Sequence, residues 1–456
     1  MKTSISKSLI FLFFFISLNI FPQSFNGNRD IEILKLVNSI SSANIKSNIE
    51  KLVSFKTRHT LSSTDSKTEG IGAARRWVKR NFEGYAKTTN GRMKVYFDSF
   101  KLKPDGRRID RPVVLKNVIA KLKGTDKNDD RIFIVSGHLD SRNLNIMDST
   151  GLAPGADDDA SGVALVMELA RVMSKYKFPS TILFVAFSGE EQGLYGSKHL
   201  AEKAKKEKWN IAGVFNNDMV GSNNTSGTNL YTNVKVRIFS EGVPALETKE
   251  MKRMRKYLST ENDGKSRQLA RYIKEIGENY VDQINVTLIY RKDRFLRGGD
   301  HTPFNNAGFT AVRFCEMHEN YYHQHQNVLE KNGIEYGDLP KFIDYNYAKK
   351  IAQVNVAALA NLALAPKAPE KVKIDVSKLT NFSTLLWKKS ENKRTVGYNI
   401  LIRKSASSVW QKKIFTKDTT ITIPYSKDNY LFGVQSVDKD GHTSLPVIPV
   451  PYFKRK

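Results

Sequence analysis

The sequence predicts an α/β domain, with a mostly parallel mixed sheet flanked by helices, followed by a C-terminal all-β sandwich. Short apolar runs rich in β-branched and aromatic residues alternate with longer stretches of helical periodicity through most of the chain. This alternation is typical of a parallel sheet with helices on both faces. After a break that contains prolines, only short alternating stretches separated by turn residues recur, which is the pattern of a sandwich.

The elements of the α/β domain follow in chain order. Apolar residues at helical spacing predict helices within Arg29–Phe55 and over Ala73–Phe82, before the first strand. The runs predicted to be strands are Val114–Leu122, Ile132–Val135, Ile182–Phe187, Val214–Phe215, Val286–Tyr290 and Phe309–Phe314. Further helices are predicted at Ser161–Tyr176, Leu194–Lys206, Ser266–Tyr280 and Tyr347–Leu364.

The break between the two domains lies at residues 365–369. Two prolines in this short stretch cannot continue the preceding helix, so it is interpreted as a linker. We therefore expect the α/β domain over residues 25–364 and the sandwich over residues 370–456. The stretches predicted to be strands of the sandwich are Val372–Ile374, Thr384–Trp387, Tyr398–Ile402, Thr420–Ile423 and Tyr430–Val437.

The N-terminus has the pattern of a secretory signal peptide, which we place at residues 1–24. A lysine-containing start precedes the apolar run Leu9–Phe21, and polar Gln23 and Ser24 follow it. The alternative is a membrane anchor, but a span needs roughly 20 apolar residues. We therefore expect a secreted or periplasmic protein with no stable membrane insertion after cleavage. The only cysteine, Cys315, lies in an apolar run and is expected to be a buried thiol.

The composition excludes several function classes. Hydrophobic residues make up 40% of the 456 residues and charged residues 26%, as in globular proteins. The net charge of +27 is compatible with anionic surfaces or nucleic acid. However, the basic residues are scattered or mixed with glutamate, and no nucleic-acid-binding motif accompanies them. We therefore expect no nucleic-acid partner.

Two groups of potential metal ligands directly follow predicted strands. His138 and Asp140 come after the strand Ile132–Val135, and the adjacent Glu190 and Glu191 come after Ile182–Phe187. Ligands bind at the carboxyl ends of the strands in parallel α/β sheets, so this placement favours a site. A surface loop is the alternative for His138 and Asp140, because a histidine two residues before an aspartate is common.

Three more groups complete the candidate site. Asp157, Asp158 and Asp159 are flanked by glycines just before a helix, where a cation would relieve their mutual repulsion, although a solvated helix N-terminus is the alternative. Asp218 follows a strand, and the segment 321–325 contains two histidines. Histidine nitrogen and carboxylate oxygen suit zinc, and one carboxylate can bridge two ions. The sequence has no Gly-x-Ser-x-Gly motif, so a serine nucleophile lacks its usual turn.

These motifs, in this order, resemble the secreted bacterial leucyl aminopeptidase type of zinc peptidase. The same superfamily contains glutamate carboxypeptidase, glutaminyl cyclase and the transferrin receptor. The resemblance covers roughly Arg58 to Leu364, and the string Ala153–Gly162 is its most specific part. It implies the zinc exopeptidase fold, two Zn²⁺ ions, and peptide substrates with a free N-terminus.

The resemblance also implies a role for each matching residue. His138 and Asp218 would bind one zinc, Glu191 and His323 would bind the other, and Asp158 would bridge them. Glu190 would be the general base, and Tyr322 would stabilise the oxyanion. Asp140 would orient the His138 imidazole, and Asp300 and His301 would support the site.

The sequence departs from the family at a few positions. Gln324 and Asn327 stand where the family usually has threonine and aspartate, and His325 competes with His323 for the last ligand position. The basic segment 222–299 matches poorly, so we interpret it as an insertion that shapes the substrate pocket.

Two other functions stay open at this stage. One is a carboxypeptidase or a glutaminyl cyclase of the same superfamily; Arg291, Arg294 or Arg297 could bind the C-terminal carboxylate in a carboxypeptidase. The other is a non-catalytic binding protein that kept the fold. The C-terminal domain resembles a fibronectin type III module, on the basis of Trp387 and the stretch Tyr430–Asp438. Such a module could bind a surface or a glycan.

Overall fold

The computed structural model describes residues 29–453. The predicted signal peptide, residues 1–24, therefore lies outside the described residues. Within the part of the chain that is described, no helix combines the length and the apolar character needed to cross a bilayer.

The α/β domain contains nine helices among the described residues, together with ten strands. The helices are α1 Ile31–Asn38, α2 Ser42–Val53, α3 Gly70–Ala86, α4 Gly162–Met173, α5 Tyr195–Lys206, α6 Lys249–Leu258, α7 Lys265–Tyr280, α8 His301–Ala307 and α9 Tyr345–Leu364. The strands are β1 Met93–Leu102, β2 Val113–Leu122, β3 Arg131–His138, β4 Thr181–Phe187, β5 Asn210–Asn217, β6 Lys235–Ser240, β7 Asn285–Ile289, β8 Ala311–Glu316, β9 Leu329–Lys331 and β10 Ile334–Tyr336.

Eight of these strands form one mixed sheet in the order β1-β2-β4-β3-β5-β8-β6-β7. Strands β4, β3, β5 and β8 are parallel neighbours at its centre, and antiparallel strands lie on either side. Their four carboxyl ends therefore meet at one edge of the sheet, where the candidate residues were expected. The predicted fold class, a mostly parallel mixed sheet flanked by helices, is confirmed.

Apolar side chains of the central strands alternate between two cores. On β4, Phe184 packs into the larger core with α4 and α9, whereas Leu183 and Val185 pack into the smaller core with α5 and α8. Both faces of the strand are thus buried, which explains why it is a continuous apolar run in the sequence.

The basic segment 222–299 is not wholly an insertion. It supplies β6 and β7, the last two strands of the main sheet, and α7, which packs against α9. Strand β6 was not predicted, because Lys235 and Arg237 alternate with its buried residues and interrupt the apolar run. Helix α6 of this segment carries no buried residue.

The C-terminal domain consists of two small sheets. Its strands are β11 Glu370–Asp375, β12 Ser383–Lys388, β13 Gly397–Lys404, β14 Lys412–Thr416, β15 Thr420–Ile423, β16 Tyr430–Val437 and β17 Val450–Tyr452. One sheet has the order β15-β12-β11-β17 and the other β14-β13-β16, and both contribute to one core around Leu385 and Ile400. The resemblance to a fibronectin type III module stays a prediction.

Candidate active site

The loops that follow the central parallel strands converge on one cluster of histidines and carboxylates. His138 is the last residue of β3, Glu190 and Glu191 follow β4, and Asp218 follows β5. Asp158 reaches the cluster from the irregular turn at Ala156–Ser161, which precedes α4. Residues far apart in sequence are therefore brought together at one edge of the sheet, as the sequence predicted.

Two groups of possible metal ligands share the carboxylate of Asp158. The Nε2 atom of His138 lies 3.0 Å from Asp158 Oδ1 and 3.9 Å from Asp218 Oδ1. On the other side, the Nε2 atom of His325 lies 2.9 Å from both Asp158 Oδ2 and Glu191 Oε1. In each group of three residues, the ligand atoms lie within 4.8 Å of one another.

The structure places His325, and not His323, in this cluster. The His323 ring stacks on Phe342 with centroids 3.7 Å apart, and its buried Nδ1 atom has no hydrogen-bond partner in the described part of the chain. Residues 321–325 form a turn in which His325 has a positive φ of 58°, and this turn directs His325 toward Glu191. The expectation that His323 joins the cluster is thus wrong by two residues.

Tyr322 does not line the site either. Its ring packs edge-on against Tyr336 at 5.5 Å, and it is absent from the wall of the cavity beside the cluster. Because His325 and not His323 joins the cluster, the residue directly before the clustered histidine is Gln324 and not Tyr322. The Gln324 amide donates to Asp158 Oδ2 at 2.8 Å. The predicted oxyanion role of Tyr322 therefore has no geometric support.

Asp140 contributes in a different way from the one expected. The Nδ1 atom of His138 faces the backbone carbonyl of Asp140 at 3.0 Å, whereas the Asp140 carboxylate is 3.9 Å away. That carboxylate instead accepts backbone N–H bonds from Gly189, Glu190 and Glu191. Asp140 thus orients His138 through its main chain and holds the glutamate loop with its side chain.

Two further carboxylates hold the loop that carries Asp158, and only one of them was noted in the sequence. Asp338 accepts from the backbone N–H groups of Asp157 and Asp158, both at 2.8 Å. Asp159 accepts from the backbone of His138 at 2.8 Å and from that of Met219 at 3.3 Å, so it links three of the loops. Asp338 lies 180 residues from Asp158 in the chain, and no local pattern identifies it.

A fully buried arginine, Arg313, lies behind Asp218. Its Nη2 atom is 2.8 Å from Asp218 Oδ1, and its Nη1 atom is 3.1 Å from Asp293 Oδ1. Sequence reasoning missed Arg313, although a charged residue inside the apolar run of β8 needs a buried partner and is a usable signal.

Asp300 and His301 lie close to the cluster but outside it. Burial raises the pKa of the Asp300 carboxyl to about 7. His301 is fully buried, and its Nε2 atom lies 2.7 Å from the Lys292 carbonyl and 3.6 Å from Asp293 Oδ2. Their positions suit the supporting role that was expected, which stays a prediction.

The electrostatics of the cluster favour bound cations. Burial opposes charge on Asp158, yet the facing His325 and His138 hold the pKa of Asp158 well below its usual range. Burial likewise opposes charge on His325, but Glu191 and Asp158 raise the pKa of His325 to about 9. Burial raises the pKa of Glu190 well above its usual value. Buried carboxylates of this kind require positive partners, and cations at the two groups would provide them.

The donor set fits zinc. The two groups offer one histidine nitrogen each and carboxylate oxygens, with no competing thiol, since the buried Cys315 lies outside both. Nitrogen and oxygen donors of this kind are those of zinc sites that keep a position open for substrate. A cavity of about 320 Å³ opens directly onto the cluster.

Comparisons with known proteins agree with this geometry. The sequence model of peptidase family M28 matches residues 117–345, which include Asp158, Glu191 and His325. A protein of Leptosphaeria maculans named probable zinc metalloprotease is 43% identical over 421 residues, covering 92% of this chain and 97% of the relative. A protein of the same name from Pyricularia oryzae is 42% identical over 429 residues, covering 92% of this chain and 85% of the relative.

Solved structures share the fold at low sequence identity. LapA of Legionella pneumophila has a TM-score of 0.52 and 20% identity, covering 74% of this chain and 77% of that protein. An aminopeptidase from Aneurinibacillus sp. strain AM-1 has a TM-score of 0.50 and 17% identity, covering 73% of this chain and 96% of that protein. The curated relatives above are fungal, so the comparisons establish the family and not its secreted bacterial branch. On the strength of the matched residues and of these relatives, the chain belongs to peptidase family M28.

Proposed function

We propose that the protein is a zinc-dependent aminopeptidase that removes N-terminal residues from peptides. The observation that carries the proposal is the position of Asp158, whose two carboxylate oxygens each face a different group of ligands. A carboxylate shared in this way suits two metal ions. The fungal relatives named probable zinc metalloprotease support zinc as the metal.

The residues of the chain divide between the two ions. His138 and Asp218 would hold one ion, Glu191 and His325 the other, and Asp158 both. Zinc bound by these residues would supply Lewis-acid chemistry, by polarising the scissile carbonyl and lowering the pKa of a water molecule. Asp140, Asp159 and Asp338 keep the ligand loops in place through their hydrogen bonds to the backbone.

Glu190 is proposed to be the general base. It lines the cavity beside His138 and Asp218, and its backbone N–H is held by Asp140 Oδ1 at 3.2 Å. The side chain is not a member of either ligand group, so it remains available to take a proton from water and to pass it to the leaving amine.

The carboxylates of the cavity support an aminopeptidase. The cavity has a volume of about 320 Å³ and is continuous with solvent. The carboxylates Asp158, Glu190, Glu191 and Asp218 line it, and they would attract the free amine of a substrate.

A carboxypeptidase is the second candidate, and one observation favours it. Four arginines, Arg108, Arg142, Arg294 and Arg297, line the same cavity, and guanidinium groups bind carboxylates well. A panel of dipeptides separates the two functions. An aminopeptidase cleaves those with a free amine and a blocked carboxylate, whereas a carboxypeptidase cleaves those with the reverse arrangement.

The proposed chemistry is tested by replacing Glu190 with glutamine, which keeps the shape of the side chain but cannot take a proton. We expect Glu190→Gln to retain about two zinc ions per chain and to lose roughly 10²- to 10⁴-fold in the hydrolysis of aminoacyl amides. Zinc is measured by atomic emission, and kcat is measured on the same samples. Full activity of the variant, or equal activity of wild-type protein stripped of metal, would refute the proposal.

A further inference from the structure

The cavity beside the cluster is lined mainly by charged side chains. Four arginines line it, and Leu194 is the one residue with an apolar side chain in its described wall. Its carboxylates are Asp158, Glu190, Glu191 and Asp218, all of which have roles under the proposed function. Two of the arginines have carboxylate partners, because Arg142 Nε lies 3.6 Å from Glu191 Oε2 and Arg294 Nη1 lies 3.0 Å from Glu319 Oε2. Arg297 and Arg108 are held more weakly.

Within residues 29–453, the one carboxylate near Arg297 is shared with other guanidinium groups. The nearest carboxylate oxygen is Glu319 Oε2 at 3.9 Å, and its other contact is the neutral amide oxygen of Gln324 at 3.4 Å. Glu319 is already engaged more closely by Arg237 at 2.7 Å and by Arg294 at 3.0 Å. One carboxylate thus serves three guanidinium groups, and Arg297 is the most weakly held of them.

Arg108, which also lines the cavity, is likewise held by a neutral group. Its Nη1 atom donates to the backbone carbonyl of Glu191 at 2.7 Å. Among the residues that the structure describes, no carboxylate oxygen lies within ion-pair distance of its guanidinium. Both arginines keep N–H donors that face the cavity or solvent, and a planar guanidinium is suited to grip a carboxylate with two bonds.

We propose that Arg297, assisted by Arg108, binds a carboxylate of the substrate next to the scissile bond. The inference rests on the proposed function, and it names the substrate class: peptides whose terminal residue carries a negative charge in this cavity. Two sources share this chemistry, namely the side chain of an N-terminal aspartate or glutamate and the α-carboxylate of a C-terminal residue. A neutral terminal residue would leave the arginines without a counter-charge when it displaces water.

The test compares substrates that differ in charge alone. Zinc-loaded protein is assayed with the p-nitroanilides of glutamate and glutamine, which have nearly the same shape. We expect kcat/KM to be roughly 10- to 100-fold higher for the glutamate compound, because a hydrogen bond to a charged group typically contributes a factor of this size. Arg297→Gln should lower this glutamate-to-glutamine ratio at least 10-fold, and Arg108→Gln should lower it by a smaller factor.

Arg291→Gln is the matched control. Arg291 lies in the same segment and is exposed, but its guanidinium packs over Phe295 and does not line the cavity. The ratio should stay the same in this variant. Equal kcat/KM for the two anilides would show that the side-chain carboxylate is not the group that is bound. An equal loss of kcat/KM on both anilides in Arg297→Gln would show the same.

A second pair of substrates tests whether the protein binds the α-carboxylate of a C-terminal residue. If the protein binds that group, it cleaves acetyl-Ala-Leu but not acetyl-Ala-Leu amide, and Arg297→Gln abolishes this difference in cleavage.

Calorimetric titration of free glutamate and glutamine into zinc-loaded protein measures binding without turnover. Glutamate binding that depends on Arg297 would uphold the inference even if no peptide is hydrolysed. Absence of any charge preference in both binding and hydrolysis would overturn it, while zinc-dependent cleavage of neutral substrates would leave the proposed function intact.

Discussion

At the scale of single residues, Asp158 determines the arrangement of the site. Its two oxygens lie 3.0 Å and 2.9 Å from the nearest nitrogens of His138 and His325. Asp338 and Asp159 fix the turn around it through hydrogen bonds to the backbone. A small shift of this one carboxylate would therefore affect both groups of ligands.

The two neighbouring histidines give a sharp test of this arrangement. His325→Ala should lose about one zinc equivalent, because it removes the only nitrogen donor of its group. His323→Ala should keep both zinc equivalents, since it removes only a ring that stacks on Phe342. Zinc per chain is measured after exhaustive dialysis, and loss of zinc in His323→Ala instead of His325→Ala would contradict the geometry.

The sequence identified four of the five clustered residues, three of them for a physical reason and Asp158 through the family resemblance. His138, Glu191 and Asp218 each end or closely follow a buried strand, and the parallel sheet brings such positions together. The choice between His323 and His325 depended on the backbone of a turn, which composition does not reveal. Arg313 and Asp338 act through partners far away in the chain, so their roles require the three-dimensional structure.

At the scale of elements, α9 connects the core to the site. It packs against α1, α2, α4 and α7, and it begins just after Asp344, whose backbone N–H donates to the carbonyl of Gly221 near the ligand Asp218. The strongly patterned helices and strands were predicted well. Helix α8 was not, because it has only seven residues and contains Pro303.

The N-terminus of α9 offers a prediction on stability. The carboxylate of Asp344 accepts from the backbone N–H groups of Asn346 and Tyr347 at 3.0 Å and 2.9 Å. Asp344→Ala leaves these donors without their partner and should reduce the free energy of unfolding by about 1–2 kcal/mol. Asp344→Asn keeps one acceptor oxygen and should cost less. Urea denaturation provides the measurement, and an unchanged midpoint for Asp344→Ala would contradict the capping role.

At the scale of the whole molecule, the sandwich is fixed against the α/β domain by buried polar contacts. Arg403 of the sandwich lies 2.7 Å from Asp263, and both side chains are almost fully buried. The backbone of Thr443 accepts from the Tyr272 hydroxyl and donates to the Asn361 side chain. The composition of the linker predicted two domains but could not predict that they pack closely, because these contacts span many residues.

His442 is a titratable contact in this interface. Its Nδ1 atom lies 2.8 Å from Asp438 Oδ2 and its Nε2 atom 2.9 Å from Asp30 Oδ2. Burial opposes charge on the ring, but the two carboxylates raise the pKa of His442 above its usual value. A raised pKa in the folded protein means that the stabilisation is complete below the unfolded pKa of roughly 6.5 and is lost as the pH rises through the folded value.

We therefore expect wild-type protein to lose stability relative to His442→Gln when the pH is raised from 5 to 8. The free energy of unfolding of the variant should be lower by about 1–3 kcal/mol at pH 5, and this difference from wild type should be smaller at pH 8. The midpoints of thermal unfolding of both proteins, measured by calorimetry, check this difference. A gap that is constant or widens with pH would show that His442 is not held as an imidazolium.

The central claim is that Asp158 is shared by two metal ions, and anomalous diffraction from crystals of the zinc-loaded protein at the zinc edge tests it most directly. We predict two anomalous peaks roughly 3.5–4 Å apart, as in other two-metal sites. One peak should lie between His138 and Asp218, the other between Glu191 and His325, and both within bonding distance of Asp158. A single peak, or peaks elsewhere in the molecule, would contradict the account.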